Sequence, residues 1–128
     1  MFREAMKIDP DSLLVHYNLG ATLLGCRKPD EAVHAFREAL RIDADHFPSL
    51  SNLGVALAES GKWAEAEQVY RAALTKRPDD ADIHSNLGAT LSALGRKHEA
   101  AAEFQRALQI RPDHPHARRG LEAIQSKP

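Results

Sequence analysis

The chain has little of several features that would point to particular classes of protein. Its single cysteine, Cys26, leaves no partner for an internal disulfide, so nothing indicates an oxidising compartment. Seventeen basic against eighteen acidic residues give a formal net charge of −1, which offers no general attraction to nucleic acid or to an anionic membrane. The apolar runs are too short to span a bilayer, and the charged first residues lack the apolar core of a secretory signal. We therefore expect no nucleic-acid partner and no membrane insertion, and a cytoplasmic location.

Aromatic residues are also scarce. They make up 5% of the 128 residues, although 43% of the residues are hydrophobic. This composition predicts one domain with a modest helical core rich in alanine and leucine.

What the chain does have is an internal repeat. The tripeptide Asn-Leu-Gly occurs three times, and its glycines, Gly20, Gly54 and Gly88, lie 34 residues apart. Other columns keep the same step, namely Ala32/Ala66/Ala100, Phe36/Tyr70/Phe104, Ala39/Ala73/Ala107 and Leu40/Leu74/Leu108. A period of this length indicates stacked units, each of which buries its apolar face on its neighbours.

The apolar spacing inside one unit predicts two helices. Leu19, Gly20 and Leu23 form one helical stripe, and a second stripe begins at Ala32 and runs to Leu40. Between the helices, Gly61 and Gly95 are expected to adopt the left-handed conformation. In the first unit Arg27 stands at that place, and the nearby Gly25 is expected to supply the flexibility instead. Pro78 and Pro112 are expected to stop the second helix.

The glycine inside each first helix costs about 1 kcal/mol relative to alanine, so it needs a structural reason. We expect the partner helix to approach closely there at its alanine column. On this interpretation Gly54 faces Ala66.

The repeat predicts the organisation of the whole chain, residues 1–128, as a single array. Units are expected at 13–46, 47–80 and 81–114, with a second helix alone at 1–12 and a C-terminal capping helix at 115–128. Phe2, Ala5 and Met6 fall one period before Phe36, Ala39 and Leu40. In the last helix, Glu122 occupies the glycine column and Gly120 the asparagine column.

These residues resemble the tetratricopeptide repeat family, in which a Leu-Gly pair is followed by an alanine, an aromatic, another alanine and a proline. The large aromatic residue that usually stands three residues before the leucine is replaced by His16, Leu50 and His84. The resemblance implies an all-α fold, a right-handed superhelix (solenoid) of antiparallel helix pairs whose first helices line a concave groove. It also implies a protein-binding scaffold that holds an extended peptide or a partner segment in that groove.

A second face of each first helix, opposite the packing stripe, carries small or apolar residues beside the asparagine column, beginning with Leu14 in the first unit. An asparagine amide donates and accepts hydrogen bonds, which suits an extended peptide backbone. The alternative is that each asparagine bonds within its own unit. The candidate groove residues are Tyr17, Asn18, Ala21, Leu24, Ser51, Asn52, Val55, Ser85, Asn86 and Ala89, with Arg119 at the far end.

The family also includes domains that clamp the C-terminal carboxylates of heat-shock chaperones with lysine, arginine and asparagine. Of those positions only Asn52 matches here, since Tyr17, Ala21, Asp82 and Asn86 occupy the others. The sequence therefore disfavours a chaperone-tail adaptor.

The sequence gives little support for a catalytic or metal-binding role. The only close histidine pair, His114 and His116, lacks further ligands at metal-site spacing, and Cys26 lacks an assigned base. We expect no metal, no cofactor and no enzymatic activity. Two alternatives to peptide binding stay open: weak homo-oligomerisation, with the incomplete terminal units pairing head to tail, and a substrate-recruiting fragment of a larger transferase.

Overall fold

The computed structural model describes residues 12–126, and this part of the chain forms seven helices without a strand. The helices are α1 (Leu13–Gly25), α2 (Pro29–Ile42), α3 (Phe47–Glu59), α4 (Trp63–Lys76), α5 (Ala81–Ala93), α6 (Lys97–Ile110) and α7 (Pro115–Gln125). The predicted pairs of first and second helices are therefore present. None of these helices has the length and the apolar content needed to cross a bilayer. The second helix predicted for residues 1–12 falls almost wholly outside the described residues.

Each helix packs against the next along the chain, and the first helices also meet one another: α1 contacts α3, α3 contacts α5, and α5 contacts α7. The second helices are instead bridged by long side chains, such as the ion pair of 3.4 Å between Arg37 on α2 and Glu65 on α4. Because backbones approach most closely on the inner side of a curved stack, the first helices line the concave side.

The core consists of small residues around one aromatic ring per helix pair. The alanines at 32, 66 and 100 are fully buried, and Phe36, Tyr70 and Phe104 are almost completely so. Burial raises the pKa of the Tyr70 hydroxyl. The modest alanine-rich core predicted from composition is thus present.

The glycine of each first helix makes room for this ring, and the prediction that it faces the alanine column was wrong. A Cβ atom at Gly54 would lie 2.4 Å from Cε1 of Tyr70, and one at Gly20 would lie 2.6 Å from Cε1 of Phe36. The third pair, Gly88 and Phe104, repeats this contact at 2.8 Å. The alanine and the aromatic share one face of the second helix, but only the ring is long enough to reach the opposite backbone.

The first turn also departs from its prediction. Arg27 itself adopts the left-handed conformation, with φ 64°, while Gly25 is the last residue of α1. The backbone hydrogen bond that closes this turn, from Lys28 N–H to Leu23 O at 2.9 Å, has its counterpart from Lys62 N–H to Leu57 O at 2.8 Å. The turn therefore keeps one geometry whether glycine or arginine occupies the position.

The second helices end at the same place with or without a proline. α4 and α6 stop two residues before Pro78 and Pro112, as predicted, but α2 has the same length and is followed by Ala44. Proline is therefore not required for the stop.

The last helix, α7, packs on both α5 and α6. His114 caps its start, since Nδ1 accepts a hydrogen bond of 3.2 Å from the Ala117 N–H. A Cβ atom at Gly120 would lie only 2.4 Å from Cζ of Phe104, whereas Glu122 is exposed. The glycine that stands in the asparagine column of α7 thus lets this helix pack onto the last aromatic ring.

Candidate peptide-binding groove

The asparagine column lies on the inner helices α1, α3 and α5. Asn18 is exposed, and Asn52 and Asn86 are half-buried. The Asn52 side-chain amide donates a hydrogen bond of 3.4 Å to the hydroxyl of Tyr17 on the neighbouring helix α1. The side chains of Asn18 and Asn86 have no hydrogen-bond partner within residues 12–126. The alternative in which each amide bonds within its own unit is therefore not what these residues show.

Tyr17 is fixed from several sides at the N-terminal part of the groove. Its ring lies edge-on to the His46 ring at a centroid distance of 5.4 Å, and 6.1 Å from the Phe36 ring. Its hydroxyl accepts the Asn52 hydrogen bond. A side chain held in this way presents a preorganised surface, because binding costs it little rotamer entropy.

Leu14, which the sequence places on the same helical face as Tyr17, adds to this apolar end. It lies three residues before Tyr17 on the same helical face, and 63% of its surface is exposed. Leu24, which was predicted, is half-buried near the other end of α1.

The middle of the groove is lined by small side chains. Ala21 and Ala89 are exposed, and Ser51 and Val55 are half-buried. Ser85 differs, because only 3% of its surface is exposed and it offers almost nothing to a ligand.

Charge appears toward the C-terminal end. Asp82 at the start of α5 is exposed, and its carboxylate accepts a hydrogen bond of 2.7 Å from Nε2 of His114. Arg111 lies 3.6 Å from the same carboxylate. Arg119 on α7 is exposed and lies 3.0 Å from Nδ1 of His116. The candidate residues on α1 are therefore apolar and the one on α7 is cationic, with a partly neutralised carboxylate at the start of α5.

The histidine pair that suggested a metal site has a structural role. His114 is 2% exposed, and its two ring nitrogens are occupied by the Ala117 amide and by Asp82. Its ring is therefore not available as a ligand alongside His116. Within residues 12–126 no group of three or more candidate ligands comes together.

Comparison with known proteins assigns the family. A family model described as tetratricopeptide repeat matches residues 17–81 and again residues 51–115, which together cover most of the chain. The chain belongs to the tetratricopeptide repeat family. The comparison with curated proteins gave no match.

Solved structures show the same fold. The crystal structure of MamA has a TM-score of 0.88 at 19% identity, covering 96% of this chain and 72% of that one. The first TPR domain of Spaghetti (RPAP3), bound to the HSP90 peptide SRMEEVD, has a TM-score of 0.85 at 24% identity, with 94% and 95% covered. The second TPR domain of human RPAP3, in complex with the HSP70 peptide SGPTIEEVD, gives 0.85 at 20% identity, with 90% and 96% covered. The predicted all-α superhelix of repeats is confirmed.

Proposed function

We propose that this repeat array is a protein-interaction module that binds an extended peptide, or an extended segment of a partner, along its concave face. The observation that carries the proposal is the asparagine column, in which the amides of Asn18 and Asn86 have no partner among residues 12–126 and lie beside the exposed Leu14 and the anchored Tyr17. The peptide complexes of structurally similar domains also support it.

The column would engage the ligand's main chain. Each amide can donate from its NH₂ group and accept at its oxygen, which are the partners that an extended backbone offers. Asn52 contributes in a second way, because its bond to Tyr17 holds two neighbouring inner helices together. This mode of binding selects an extended conformation rather than a particular sequence.

The side chains along the groove would then select the ligand. Leu14, Tyr17 and Leu24 favour an apolar or aromatic side chain at the α1 end. Arg119 favours a carboxylate of the ligand at the α7 end. The small residues between them leave room for the chain to pass.

A peptide with an acidic C-terminal tail is not the ligand that we propose. Between α1 and α7 the proposed groove residues include no lysine or arginine, and the first turn of α5 adds the exposed carboxylate of Asp82. A like charge in the path of such a tail costs affinity. The titration of SRMEEVD into this chain should therefore show no more than weak binding, and submicromolar affinity would contradict this part of the proposal.

We also propose the division of the chain that the repeat predicts, with units at 13–46, 47–80 and 81–114 and a capping helix from residue 115. The partly buried Leu121 and Ile124 of α7 pack against the core, which supports the capping role. In this proposal the array contributes binding and no catalytic group.

The test begins with a random-peptide display library selected on the whole chain. Selected peptides are synthesised and titrated by calorimetry into the wild type and into the variant in which Asn18, Asn52 and Asn86 are all alanine. Each net hydrogen bond is worth about 1 kcal/mol, so the triple variant should bind at least tenfold more weakly.

The matched control replaces two exposed amides on second helices, Gln68→Ala and Gln105→Ala. These changes should leave the affinity unaltered. The proposal fails if the triple asparagine variant binds as tightly as this control, or if no peptide is selected.

A further inference from the structure

His84, in the first turn of α5, is held between two oxygen atoms. Its Nδ1 lies 2.7 Å from Oε1 of Glu103 on α6, and its Nε2 lies 2.7 Å from the main-chain oxygen of Pro78, in the turn between α4 and α5. The side chain of His84 is 12% exposed and that of Glu103 is 21% exposed. The imidazole therefore connects the turn between the second and third units to the second helix of the third unit.

These two contacts need one proton more than a neutral histidine and an ionised glutamate supply. The carbonyl oxygen of Pro78 can only accept, so Nε2 must carry a hydrogen. A neutral imidazole has a single N–H, and a carboxylate can only accept. The contact between His84 and Glu103 thus needs a second proton, either on Nδ1 or on the carboxyl group.

Two other histidine rings with hydrogen bonds lack this requirement. At His114, Nδ1 accepts from the Ala117 N–H and Nε2 donates to Asp82, which a neutral ring can do. At His46, Nδ1 lies 2.7 Å from the hydroxyl of Ser49, and a hydroxyl can donate or accept. Of these three rings, only that of His84 lies between two acceptors.

The other charged groups around the start of α5 have partners of their own. Asp79 pairs with Arg106 of α6 at 2.9 Å, and Asp80 caps α5, since its Oδ1 accepts a hydrogen bond of 3.0 Å from the Ile83 N–H. Residues 47–58 of the neighbouring α3 include no titratable side chain. The remaining contacts are those of Lys76 with Asp45, Arg77 with the ring of Phe47, and Asp82 with His114 and Arg111.

Glu103 depends on His84 for its ionic contact. Within residues 12–126 it pairs with no lysine or arginine, and His84 is its one ionic partner. Because imidazole is more basic than a carboxylate, the shared proton belongs on the ring rather than on Glu103.

We propose that His84 is an imidazolium at neutral pH, and that its proton holds the turn between α4 and α5 to α6, so that this joint between units responds to pH. When the proton leaves, the lone pair of Nδ1 faces the Glu103 carboxylate at hydrogen-bond distance. Both groups are largely shielded from water, so the lost hydrogen bond is not readily replaced. The joint therefore loosens as the pH rises. This inference does not depend on the proposed peptide ligand.

The direction of the effect follows from the number of protons that each state binds. The folded chain keeps a proton on His84 that the unfolded chain releases, so stability falls as the pH rises. The contribution is complete below about pH 6.5, where an unfolded histidine also binds its proton, and it is lost progressively above that value. In this range the folding equilibrium constant falls by up to about tenfold per pH unit.

Nitrogen NMR of the histidine rings in the ¹⁵N-labelled full chain tests the proton directly. At about pH 7.5, where an ordinary histidine is mostly neutral, both ring nitrogens of His84 should have the similar chemical shifts of a protonated ring. Those of His114 should differ strongly from each other, because its Nδ1 carries no hydrogen. His84→Gln identifies the His84 signals by removing them. If the two nitrogens of His84 differ as much as those of His114, the proposal is overturned.

Glu103→Gln removes the need for the extra proton. A glutamine amide can donate to Nδ1 of a neutral ring while Nε2 still donates to Pro78. In urea unfolding between about pH 6 and pH 9, the folding equilibrium constant of the wild type should fall at least about threefold more than that of Glu103→Gln.

The matched control for this experiment is His98→Gln, which replaces an exposed histidine of the same helix α6. It should keep the decline of the wild type. An equal decline in the wild type and in Glu103→Gln would contradict the role of the His84 proton.

A titration of the backbone amides tests whether the effect is local. The signals of Asp79, Asp80 and Glu103 should move with the same midpoint as the His84 ring. Val69, which holds the position of Glu103 in the preceding unit, carries no charge, so its amide is the control and should not follow that midpoint. If the amide of Val69 moved with the same midpoint, a local joint at His84 would be rejected.

Discussion

The glycine column and the asparagine column lie two residues apart on the same inner helices, yet they have opposite environments. Gly54 is buried against the ring of Tyr70, while Asn52 is half-buried and its side-chain amide donates a hydrogen bond to the hydroxyl of Tyr17. Both columns recur with the same period. The contrast shows that packing explains the repetition of glycine, whereas the core does not require an asparagine at its position.

The terminal helix α7 supports this interpretation. There glycine stands in the asparagine column, and Gly120 packs against Phe104 as closely as the glycine of a first helix packs against its own ring. The glycine column position is taken by the exposed Glu122. Within the described residues no aromatic ring of a following second helix packs against position 122, so glycine is not required there. Glycine is required instead at position 120, where Phe104 lies against the backbone.

The largest expected effect comes from filling the glycine column. Gly54→Val should destabilise the fold by about 3 kcal/mol in urea unfolding, because its Cβ overlaps the buried ring of Tyr70. Gly25→Ala is the matched control, since nothing lies within 4 Å of its Cβ position. Similar stabilities for the two variants would show that the glycine column is not a packing requirement.

A smaller loss is expected in the terminal helix. Gly120→Asn restores the residue that the column has elsewhere, and it should cost about 2 kcal/mol because Phe104 occupies the space. The same urea unfolding experiment measures it. A variant as stable as the wild type would mean that α7 can move away from Phe104 without cost.

These two predictions also show where sequence reasoning stopped. The period and the apolar stripes were sufficient to place every first and second helix within residues 12–126. They did not identify the partner of Gly54, because spacing shows which residues share a helical face but not how far a ring reaches from it. Nor could they locate the left-handed residue at Arg27, where closure of the turn overrides the preference of the residue.

The groove was predicted less completely than the fold. The face that holds Tyr17 and Asn52 followed from the resemblance to a known repeat, but the hydrogen bond between them depends on how two units stack. The burial of Ser85 depends on the same stacking. Such contacts between units are not encoded in the spacing within one unit.

The turns between paired helices provide a prediction of the opposite sign, a substitution that raises the stability. Arg27→Gly should stabilise the protein by about 1 kcal/mol, because it removes the side-chain strain of a left-handed residue in a turn whose hydrogen bonds stay in place. The control is Gly61→Arg in the next turn, which should lose a similar amount. An unchanged or lower stability for Arg27→Gly would indicate that the arginine side chain makes a compensating contact.

The second helix α4 carries a carboxylate that is held by two arginines. Hydrogen bonds from Arg96, at 2.7 Å, and from Arg71, at 3.0 Å, lower the pKa of Glu67 below its usual value of 4.5. Because the pKa of Glu67 is lower in the folded state than in the unfolded state, its contacts with the two arginines stabilise the protein at pH values above the unfolded-state pKa. This stabilisation is lost as the pH falls through the folded-state pKa.

Glu67→Gln should therefore lower the stability at pH 7 slightly and flatten its decline below pH 4.5, as measured by urea unfolding across pH. Glu38→Gln is the control and should change this decline less, because within residues 12–126 the Glu38 carboxylate has one arginine partner, at 3.1 Å. If the stability of the wild type and that of the Glu67→Gln variant declined identically below pH 4.5, the lowered pKa of Glu67 would be contradicted.

The most direct test of the proposed peptide-binding groove is an NMR titration of the ¹⁵N-labelled chain with a peptide obtained by display selection. We expect the side-chain NH₂ signals of Asn18, Asn52 and Asn86 to shift together with backbone signals of α1, α3 and α5. Shifts confined to the second helices α2, α4 and α6, with the three asparagine side chains unaffected, would contradict the account.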